Sequence, residues 1–202
     1  MQAVYDGATS VPGWTILASI PGDDVAPFGV IASSDEDGKT AMAFRGTVTA
    51  HDWFHDSQFA FVPSPFGVGQ TEYGFTTVFR ALQIPLGWKC DWFAGHSLGG
   101  PLATYAALTY GDVNAELLVI ATPEPGDGVF SLWASPRIAV IHRWENRHDV
   151  VPDAPGRFLG YRDLDGPTTE LDFGPALGVA RLDVAGNHSL TNYIRAFMLS
   201  IP

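Results

Sequence analysis

The chain has 202 residues, of which 46% are hydrophobic and 16% are charged, and its net charge is −11 at pH 7. This length and composition predict a single globular domain over residues 1–202 and exclude a disordered chain. The acidic charge excludes nucleic acid as an expected partner, because binding to a phosphate backbone needs a basic surface. It also disfavours adsorption onto anionic membranes. Cys90 is the only cysteine, so no intramolecular disulfide can form, and a buried, unreactive thiol is expected.

The N-terminal residues 1–7 lack the basic region and apolar core of a signal peptide. A secreted protein would therefore need a leader that precedes these residues, and otherwise a cytoplasmic location is expected. No apolar run in the sequence reaches the length of a membrane span.

The predicted elements alternate between strands and helices along the chain. Two β-like runs joined by a polar turn predict an N-terminal hairpin, and later short apolar runs predict buried parallel strands. The predicted strands are 28–33, 40–45, 90–94, 117–121 and 138–143. The predicted helices are 70–82, 98–110 and 190–199, and long surface loops are predicted over 122–136 and 152–185. This order favours an α/β fold with a mainly parallel central sheet, helices on both faces and an antiparallel N-terminal hairpin.

Residues 95–99 read Gly-His-Ser-Leu-Gly between a predicted strand and a predicted helix. In that context G-x-S-x-G is typical of a nucleophile elbow, a sharp turn that exposes a reactive serine. The glycines are expected because the crowded turn leaves no room for a Cβ atom at the flanking positions. Ser97 is therefore the candidate nucleophile, and backbone N–H groups at the start of the next helix would face developing negative charge.

A serine nucleophile needs a base, and three histidines follow Ser97 in the chain. His142 lies within an apolar run and is predicted to be packed or hydrogen-bonded in the sheet. His148 directly precedes Asp149 in the sequence, so an acid would have no room between the sheet and this base. His188 lies in a predicted loop just before the last helix, so it is the candidate base.

The base in turn needs an orienting carboxylate, and in proteins with this elbow the acid lies between the serine and the histidine in the chain. Asp149, at the end of a late strand, is the candidate acid. Asp153 is the alternative.

The chain resembles the class 3 lipases, the fungal-type triacylglycerol lipases whose relatives include feruloyl esterases. The resemblance covers residues 28–200. It implies an α/β-hydrolase fold and a serine carboxylic ester hydrolase that acts on an ester or lipid substrate, with transient contact at a lipid interface. The expected serine mechanism needs no cofactor or metal, and a monomer is expected. The segments that carry the resemblance are Ala-Phe-Arg-Gly-Thr at 43–47, Gly-His-Ser-Leu-Gly-Gly at 95–100, Ala-Thr-Pro-Glu-Pro-Gly-Asp at 121–127, Asn-Arg-His-Asp-Val-Val-Pro at 146–152, and His188 before the last helix.

Carried over by position, the resemblance implies that Ser97 is the nucleophile, Asp149 the acid and His188 the base. It also implies an oxyanion hole formed by the backbone N–H of Leu98 and by the N–H and hydroxyl of Thr47.

In the family, the segment after the oxyanion residue is a lid, which here is 48–58. Trp53 and Phe54 could cover the pocket, but the other lid residues are polar. A lipase lid needs a broad apolar face toward lipid, so this segment does not predict strong interfacial activation, and an esterase that acts on smaller substrates stays an alternative. Two other departures are Ala-Thr-Pro-Glu-Pro-Gly at 121–126, where the family has Gly-x-Pro-Arg-Val-Gly, and the absence of the disulfides found in many secreted members.

Two other functions compete with this interpretation. His51 and His55 flank Asp52 at a spacing that would place both imidazoles on one helix face, as in zinc sites. This pattern would indicate a metal-dependent hydrolase, although no third ligand is evident. The other alternative is an α/β-hydrolase fold that binds ligands without catalysis.

Overall fold

The computed structural model describes residues 1–22, 27–46, 59–85 and 87–200. The strands in chain order are β1 (Trp14–Ile20), β2 (Gly29–Ser34), β3 (Thr40–Phe44), β4 (Phe61–Pro63), β5 (Gln70–Glu72), β6 (Cys90–His96), β7 (Gly111–Ile120), β8 (Gly126–Asp127), β9 (Val140–Asn146), β10 (Tyr161–Arg162) and β11 (Thr168–Leu171). The α-helices are α1 (Gln2–Tyr5), α2 (Tyr73–Ala81), α3 (Gly99–Tyr110), α4 (Gly128–Ala134), α5 (Gly174–Leu177), α6 (Val184–His188) and α7 (Leu190–Ser200). Within the described ranges, no helix is long and apolar enough to cross a membrane.

The central sheet has, among the described residues, seven strands in the order β1-β2-β3-β6-β7-β9-β11. The pairs β1–β2 and β2–β3 are antiparallel, and the remaining neighbours are parallel. The predicted hairpin and the mainly parallel sheet are therefore confirmed. Strand β1 was not predicted; its alternating burial is that of a half-exposed edge strand.

Helices pack against both faces of this sheet, as predicted. Leu117 and Ile141 point toward the face covered by α3 and belong to the main hydrophobic cluster. Leu118 and Trp144 point the opposite way and pack in a second cluster with α7, where the Trp144 ring lies 4.4 Å from the ring of Phe197. The two faces follow from the alternation of side chains along β7 and β9.

Several predicted boundaries were wrong, because side-chain caps and short polar strands leave little signal in the sequence. The predicted helix over 70–82 begins only at Tyr73, since Glu72 caps it by accepting a hydrogen bond from the Phe75 N–H at 2.8 Å; residues 70–72 instead form β5. The predicted loop over 122–136 contains α4, which Asp127 caps through the Phe130 N–H at 2.7 Å. Likewise, the predicted loop over 152–185 contains β10, β11 and α5 and ends in the first residues of α6.

Four neighbouring parallel strands, β3, β6, β7 and β9, end at the same edge of the sheet. The carboxyl ends of such strands are where α/β folds assemble their sites. Ser97 directly follows β6, and Asp149 follows β9 by three residues. Gly46, two residues beyond β3, also lies at this edge.

Candidate active site

Ser97 lies in a strained turn between β6 and α3. Its φ angle is +57°, a left-handed conformation that few residues other than glycine adopt. The Ser97 N–H donates to the carbonyl of Ile120 at 3.1 Å, and its carbonyl accepts from the N–H of Gly100 at 2.8 Å. These two bonds hold the strained backbone in place, so the turn has the geometry predicted for a nucleophile elbow.

Gly95 is needed because the turn brings the backbone into close contact. A Cβ atom at this position would lie only 2.0 Å from the carbonyl oxygen of Gly99, at the start of α3. In the elbow, Ser97 has the left-handed backbone conformation, and the absence of a side chain at Gly95 leaves room for the backbone of Gly99. The expected reason for a glycine at position 95 is confirmed.

Asp149 and His188 are joined by a hydrogen bond. The Nδ1 atom of His188 lies 2.8 Å from Oδ2 of Asp149, and both side chains are buried. The other carboxylate oxygen accepts the N–H of Val151 at 3.0 Å. His188 is the last residue of α6, so its predicted place in a loop was wrong. The two residues are brought together as the sequence predicts.

Two buried asparagines, which the sequence analysis missed, fix the chain around this pair. The side-chain amide of Asn146 donates to the carbonyl and side-chain oxygens of Asn187, at 3.2 and 3.0 Å. Asn187 in turn donates to the carbonyls of Ala180 and Asp183, at 3.0 and 2.8 Å. Because Asn187 immediately precedes His188, this network ties the base to the end of β9. Asn146, the first residue of the 146–152 motif, was the feature of the sequence that could have indicated this network.

Tyr193 is a further residue that the sequence analysis did not find. Its hydroxyl accepts the N–H of Asn146 at 2.6 Å and donates to Oδ2 of Asp149 at 3.0 Å. Burial and then the charge of Asp149 raise the pKa of Tyr193 far above its ordinary value, so the phenol stays protonated and remains a donor. The carboxylate of Asp149 thus receives bonds from an imidazole, a phenol and a backbone amide.

Arg45 and Gly46 hold the end of β3 against the elbow. The fully buried Arg45 donates from Nε to the carbonyl of Pro27 at 2.8 Å and from Nη1 to the carbonyl of Gly46 at 2.9 Å. A Cβ atom at Gly46 would lie 2.7 Å from the Cβ of Ser97. Glycine is therefore required there, and the Phe-Arg-Gly-Thr motif brings its backbone into contact with the candidate nucleophile.

Three buried polar atoms at this site lack a hydrogen-bond partner among the described residues. They are Oγ of Ser97, Nε2 of His188 and Oδ1 of Asn146. Buried polar atoms are nearly always paired, so such exceptions need a reason. The ring of His96, which precedes Ser97, lies 4.9 Å from the ring of His188, so the imidazole of His188 lies beside the elbow. A hydroxyl and an imidazole nitrogen are the groups that nucleophilic catalysis would use.

The residues that the sequence analysis set aside lie elsewhere. His142 was predicted to be packed or hydrogen-bonded in the sheet, which is wrong: its side chain is half-exposed, and its Nε2 lies 3.8 Å from Oε2 of Glu116, beyond hydrogen-bond distance. Its side chain lies on the same face of the sheet as Trp144, two residues further along β9. His148 faces Asp172 at 3.5 Å rather than Asp149.

Several predicted site residues lie in 47–58, outside the described residues. They are Thr47 of the oxyanion hole, Trp53 and Phe54 of the lid, and the predicted metal-binding residues His51, Asp52 and His55. Leu98, the other oxyanion residue, is described and directly precedes α3. Among the residues that the structure describes, no group of three or more His, Cys, Asp or Glu side chains could hold a metal ion.

Solved structures of fungal lipases share this fold. Similar structures include a Rhizomucor miehei lipase in a propeptide complex (23% identity, TM-score 0.68, 79% of this chain and 57% of that chain). A lipase from Rhizopus microsporus var. chinensis is 21% identical, with a TM-score of 0.67, over 80% of this chain and 62% of that one. A third is a triacylglycerol lipase whose catalytic centre is a serine protease triad (23% identity, TM-score 0.66, 81% and 69%).

The chain thus spans about three fifths of the length of the first two lipases. At these identities the likeness shows the α/β-hydrolase fold alone. No curated protein is significantly similar in sequence. The sequence model of the lipase (class 3) family matches residues 41–159, which is more than half of the chain and includes Ser97 and Asp149. The chain belongs to the class 3 lipase family.

Proposed function

We propose that this protein hydrolyses carboxylic esters, with Ser97 as nucleophile, His188 as general base and Asp149 as the orienting acid. One observation carries the proposal. The hydrogen bond from His188 Nδ1 to Asp149 leaves Nε2 of the same ring buried and unpartnered, as is Oγ of Ser97, among the described residues. The matching family and a similar triacylglycerol lipase with a serine protease triad support the same assignment.

We infer that these three residues act in sequence. Ser97 Oγ attacks the carbonyl carbon of the ester while Nε2 of His188 takes the hydroxyl proton. Asp149 keeps the proton of the neutral ring on Nδ1 and stabilises the imidazolium that forms. Collapse of the tetrahedral intermediate breaks the bond to the alcohol, which leaves with the proton from His188. Water then adds to the acyl-enzyme with the same base, and the acid product leaves.

We assign the oxyanion hole to the backbone N–H of Leu98 and to the N–H and hydroxyl of Thr47. Leu98 directly precedes α3, where unpaired N–H groups and the helix dipole favour negative charge. Thr47 follows Gly46, whose backbone contacts Ser97. The N–H of Leu98 would therefore lie next to the carbon under attack, and Thr47 is assigned from its place after Gly46 in the sequence.

The substrate is an uncharged ester, either a lipid such as a triacylglycerol or a smaller ester. The net charge of −11 favours release of an anionic carboxylate and disfavours binding to strongly anionic membranes. The polar composition of the 48–58 segment favours small or medium acyl groups, with only transient contact of the monomer with lipid. Hydrolysis rates on p-nitrophenyl esters from acetate to palmitate, with and without emulsified triglyceride, would measure this preference.

Labelling and substitution of Ser97 test the proposal. A p-nitrophenyl phosphate triester should modify Ser97 stoichiometrically, and Ser97→Ala should retain at best about 10³–10⁴-fold acceleration over water. Ser64→Ala is the matched control, because Ser64 is also buried but belongs to the loop between β4 and β5. Near-normal turnover of Ser97→Ala would refute the nucleophile. Loss of activity to a strong chelator would favour the metal-dependent alternative, and failure to label would favour a non-catalytic binding protein.

A further inference from the structure

Tyr5, on the N-terminal helix α1, connects two parts of the active site that are far apart in sequence. Its hydroxyl oxygen lies 2.7 Å from the backbone nitrogen of Gly46 and 2.8 Å from Nδ1 of His96. The other ring nitrogen of His96, Nε2, lies 2.9 Å from the carbonyl oxygen of His188. Four residues thus form one continuous chain of hydrogen bonds through the interior.

The direction of each bond follows from chemistry. The Gly46 N–H can only donate and the His188 carbonyl can only accept, so Tyr5 accepts from Gly46 and His96 donates from Nε2. Burial, and next the proximity of His188, lower the pKa of His96 to about 3, so the ring is neutral and Nδ1 carries no proton. The Tyr5 hydroxyl therefore donates to Nδ1. Every donor in the chain has one acceptor, and the tautomer of His96 is fixed.

The two ends of this chain hold the two segments that must be placed against Ser97. At one end, Gly46 contacts the Ser97 side chain and precedes Thr47. At the other end, the bonded carbonyl belongs to His188 itself. His96 is adjacent to Ser97 at the end of β6, so the nucleophile lies beside the middle of the chain.

We propose that Tyr5 and His96 are positioning residues for ester hydrolysis: their hydrogen bonds keep the oxyanion segment and the base aligned with Ser97. The proposal rests on the proposed function. A displacement of about 1 Å at a reacting group can cost about 100-fold in rate, so the loss of a bond that fixes two segments should lower kcat. Substrate binding is not expected to change in proportion, because the polar atoms of both side chains are already bonded to each other, to Gly46 and to His188.

The first test is Tyr5→Phe, which removes the hydroxyl and keeps the ring. We expect kcat per site titrated with the phosphate triester to fall about tenfold or more, with KM changed less than twofold. Titration counts only correctly folded sites, so a role limited to stability would lower the titrated fraction and leave kcat per site intact. An unchanged kcat per site would overturn the proposal.

The matched control is Tyr105→Phe, since the fully buried Tyr105 donates its hydroxyl to the carbonyl of Pro125 at 2.7 Å. This substitution also removes a buried phenolic hydrogen bond, but on α3 and outside the chain. We expect lower thermal stability and unchanged kcat per site. An equal loss of kcat in both variants would mean that any buried hydroxyl has this effect, and would contradict the proposal.

The second test separates the two bonds of His96. His96→Asn leaves an acceptor for Tyr5 but no donor for the His188 carbonyl, whereas the longer amide of His96→Gln can reach that carbonyl. We expect His96→Gln to retain several-fold more kcat than His96→Asn. Equal kcat per titrated site in His96→Asn and His96→Gln would overturn the proposal.

An NMR measurement, which needs no turnover, tests the positioning role of Tyr5 and His96 separately from the ester hydrolase function. In the wild-type protein, the ¹⁵N resonances of His96 should show a neutral ring protonated at Nε2, and Tyr5→Phe should shift the resonances of His188. Wild-type protein that neither hydrolyses esters nor reacts with the phosphate triester would end the proposed function. Unchanged His188 resonances in Tyr5→Phe would end the positioning proposal, whatever the activity.

Discussion

Tyr193 places its hydroxyl 3.0 Å from Oδ2 of Asp149, the same carboxylate oxygen that receives the N–H of His188. One oxygen thus accepts both the imidazole that it orients and a phenol from the following helix, α7. The Tyr193 hydroxyl also accepts from the Asn146 N–H. The carboxylate therefore has a fixed orientation before any substrate binds.

Removal of this hydroxyl in Tyr193→Phe should lower kcat about tenfold, because a hydrogen bond to a charged group contributes about 1.5–3 kcal/mol. The free energy of unfolding should fall by about 1–3 kcal/mol, since the Asn146 N–H loses its acceptor. Steady-state kinetics and urea denaturation measure the two effects. Tyr161→Phe is the control, because the buried Tyr161 hydroxyl has no hydrogen-bond partner among the described residues. Equal losses in both variants would contradict the prediction.

Asp149→Asn should lower kcat about 10⁴-fold near neutral pH, because an amide facing Nδ1 favours the wrong tautomer of the histidine. The fold should persist, since Asn is nearly the same size. Asp153→Asn tests the alternative acid with the same chemical change at an exposed position. Its kcat should equal that of the wild-type enzyme. A large loss in Asp153→Asn with a small one in Asp149→Asn would reverse the assignment.

Gly95→Ala should disrupt the elbow, because the new Cβ atom would approach the backbone of Gly99 to 2.0 Å and backbone cannot move aside as a flexible side chain can. Overpacking of a core costs about 1–3 kcal/mol, and we expect a loss at or above the upper end, with almost no titratable Ser97. Gly128→Ala is the control, since its Cβ would meet only Arg162, at 3.8 Å. Wild-type stability of Gly95→Ala would contradict the expectation.

The sequence was sufficient to predict the elbow at Ser97 and the pairing of Asp149 with His188. Ser97 was predicted from the glycines around it, and the other two residues from their order in the chain; their catalytic roles stay predictions. The parallel sheet followed from short apolar runs, because strands buried on both faces have little polar alternation. Edge strand β1 and the start of α2 were missed because a half-exposed strand and a side-chain cap leave weak local patterns.

The residues that hold the site could not be predicted in the same way. Tyr193, Asn187 and Tyr5 act through hydrogen bonds to partners 41 to 91 positions away in the chain. Nothing in their immediate sequence neighbourhood indicates those partners. A tyrosine on an amphipathic helix is usually a core residue, and only the fold shows which of them turns its hydroxyl toward a carboxylate or an imidazole.

Thr47→Val should lower kcat about 10²–10³-fold if the hydroxyl is an oxyanion donor, because the loss of one such donor has about that cost. Thr47 itself lies outside the described residues, but Arg45 and Tyr5 hold the preceding Gly46 at its carbonyl and N–H. Thr47→Ser keeps the hydroxyl and should retain most of the rate. A loss below threefold in Thr47→Val would limit this residue to its backbone N–H.

Glu124 stands where the family has arginine, and its carboxylate is buried. One oxygen accepts the Gly156 N–H at 3.0 Å, and the other lies 3.7 Å from Nε of Arg157. Burial, and next the charge of Asp163, raise the pKa of Glu124 from 4.5 to about 7. Between these values the folded state keeps a proton that the unfolded state has released. Glu124 therefore does not change the free energy of unfolding below about pH 4. It lowers the free energy of unfolding progressively as the pH rises toward 7.

Glu124→Gln should remove this dependence, because Gln cannot ionise and still offers an acceptor to Gly156. Relative to wild type, the variant should gain on the order of 2–3 kcal/mol in free energy of unfolding between pH 4 and pH 8. Urea denaturation at both pH values measures the difference. Glu36→Gln, in the exposed turn of the hairpin, makes the same change without burial and should show no such gain. If wild type and Glu124→Gln lost stability in parallel with rising pH, the carboxylate of Glu124 would already be ionised at the lower pH, and its burial would not hold the proton.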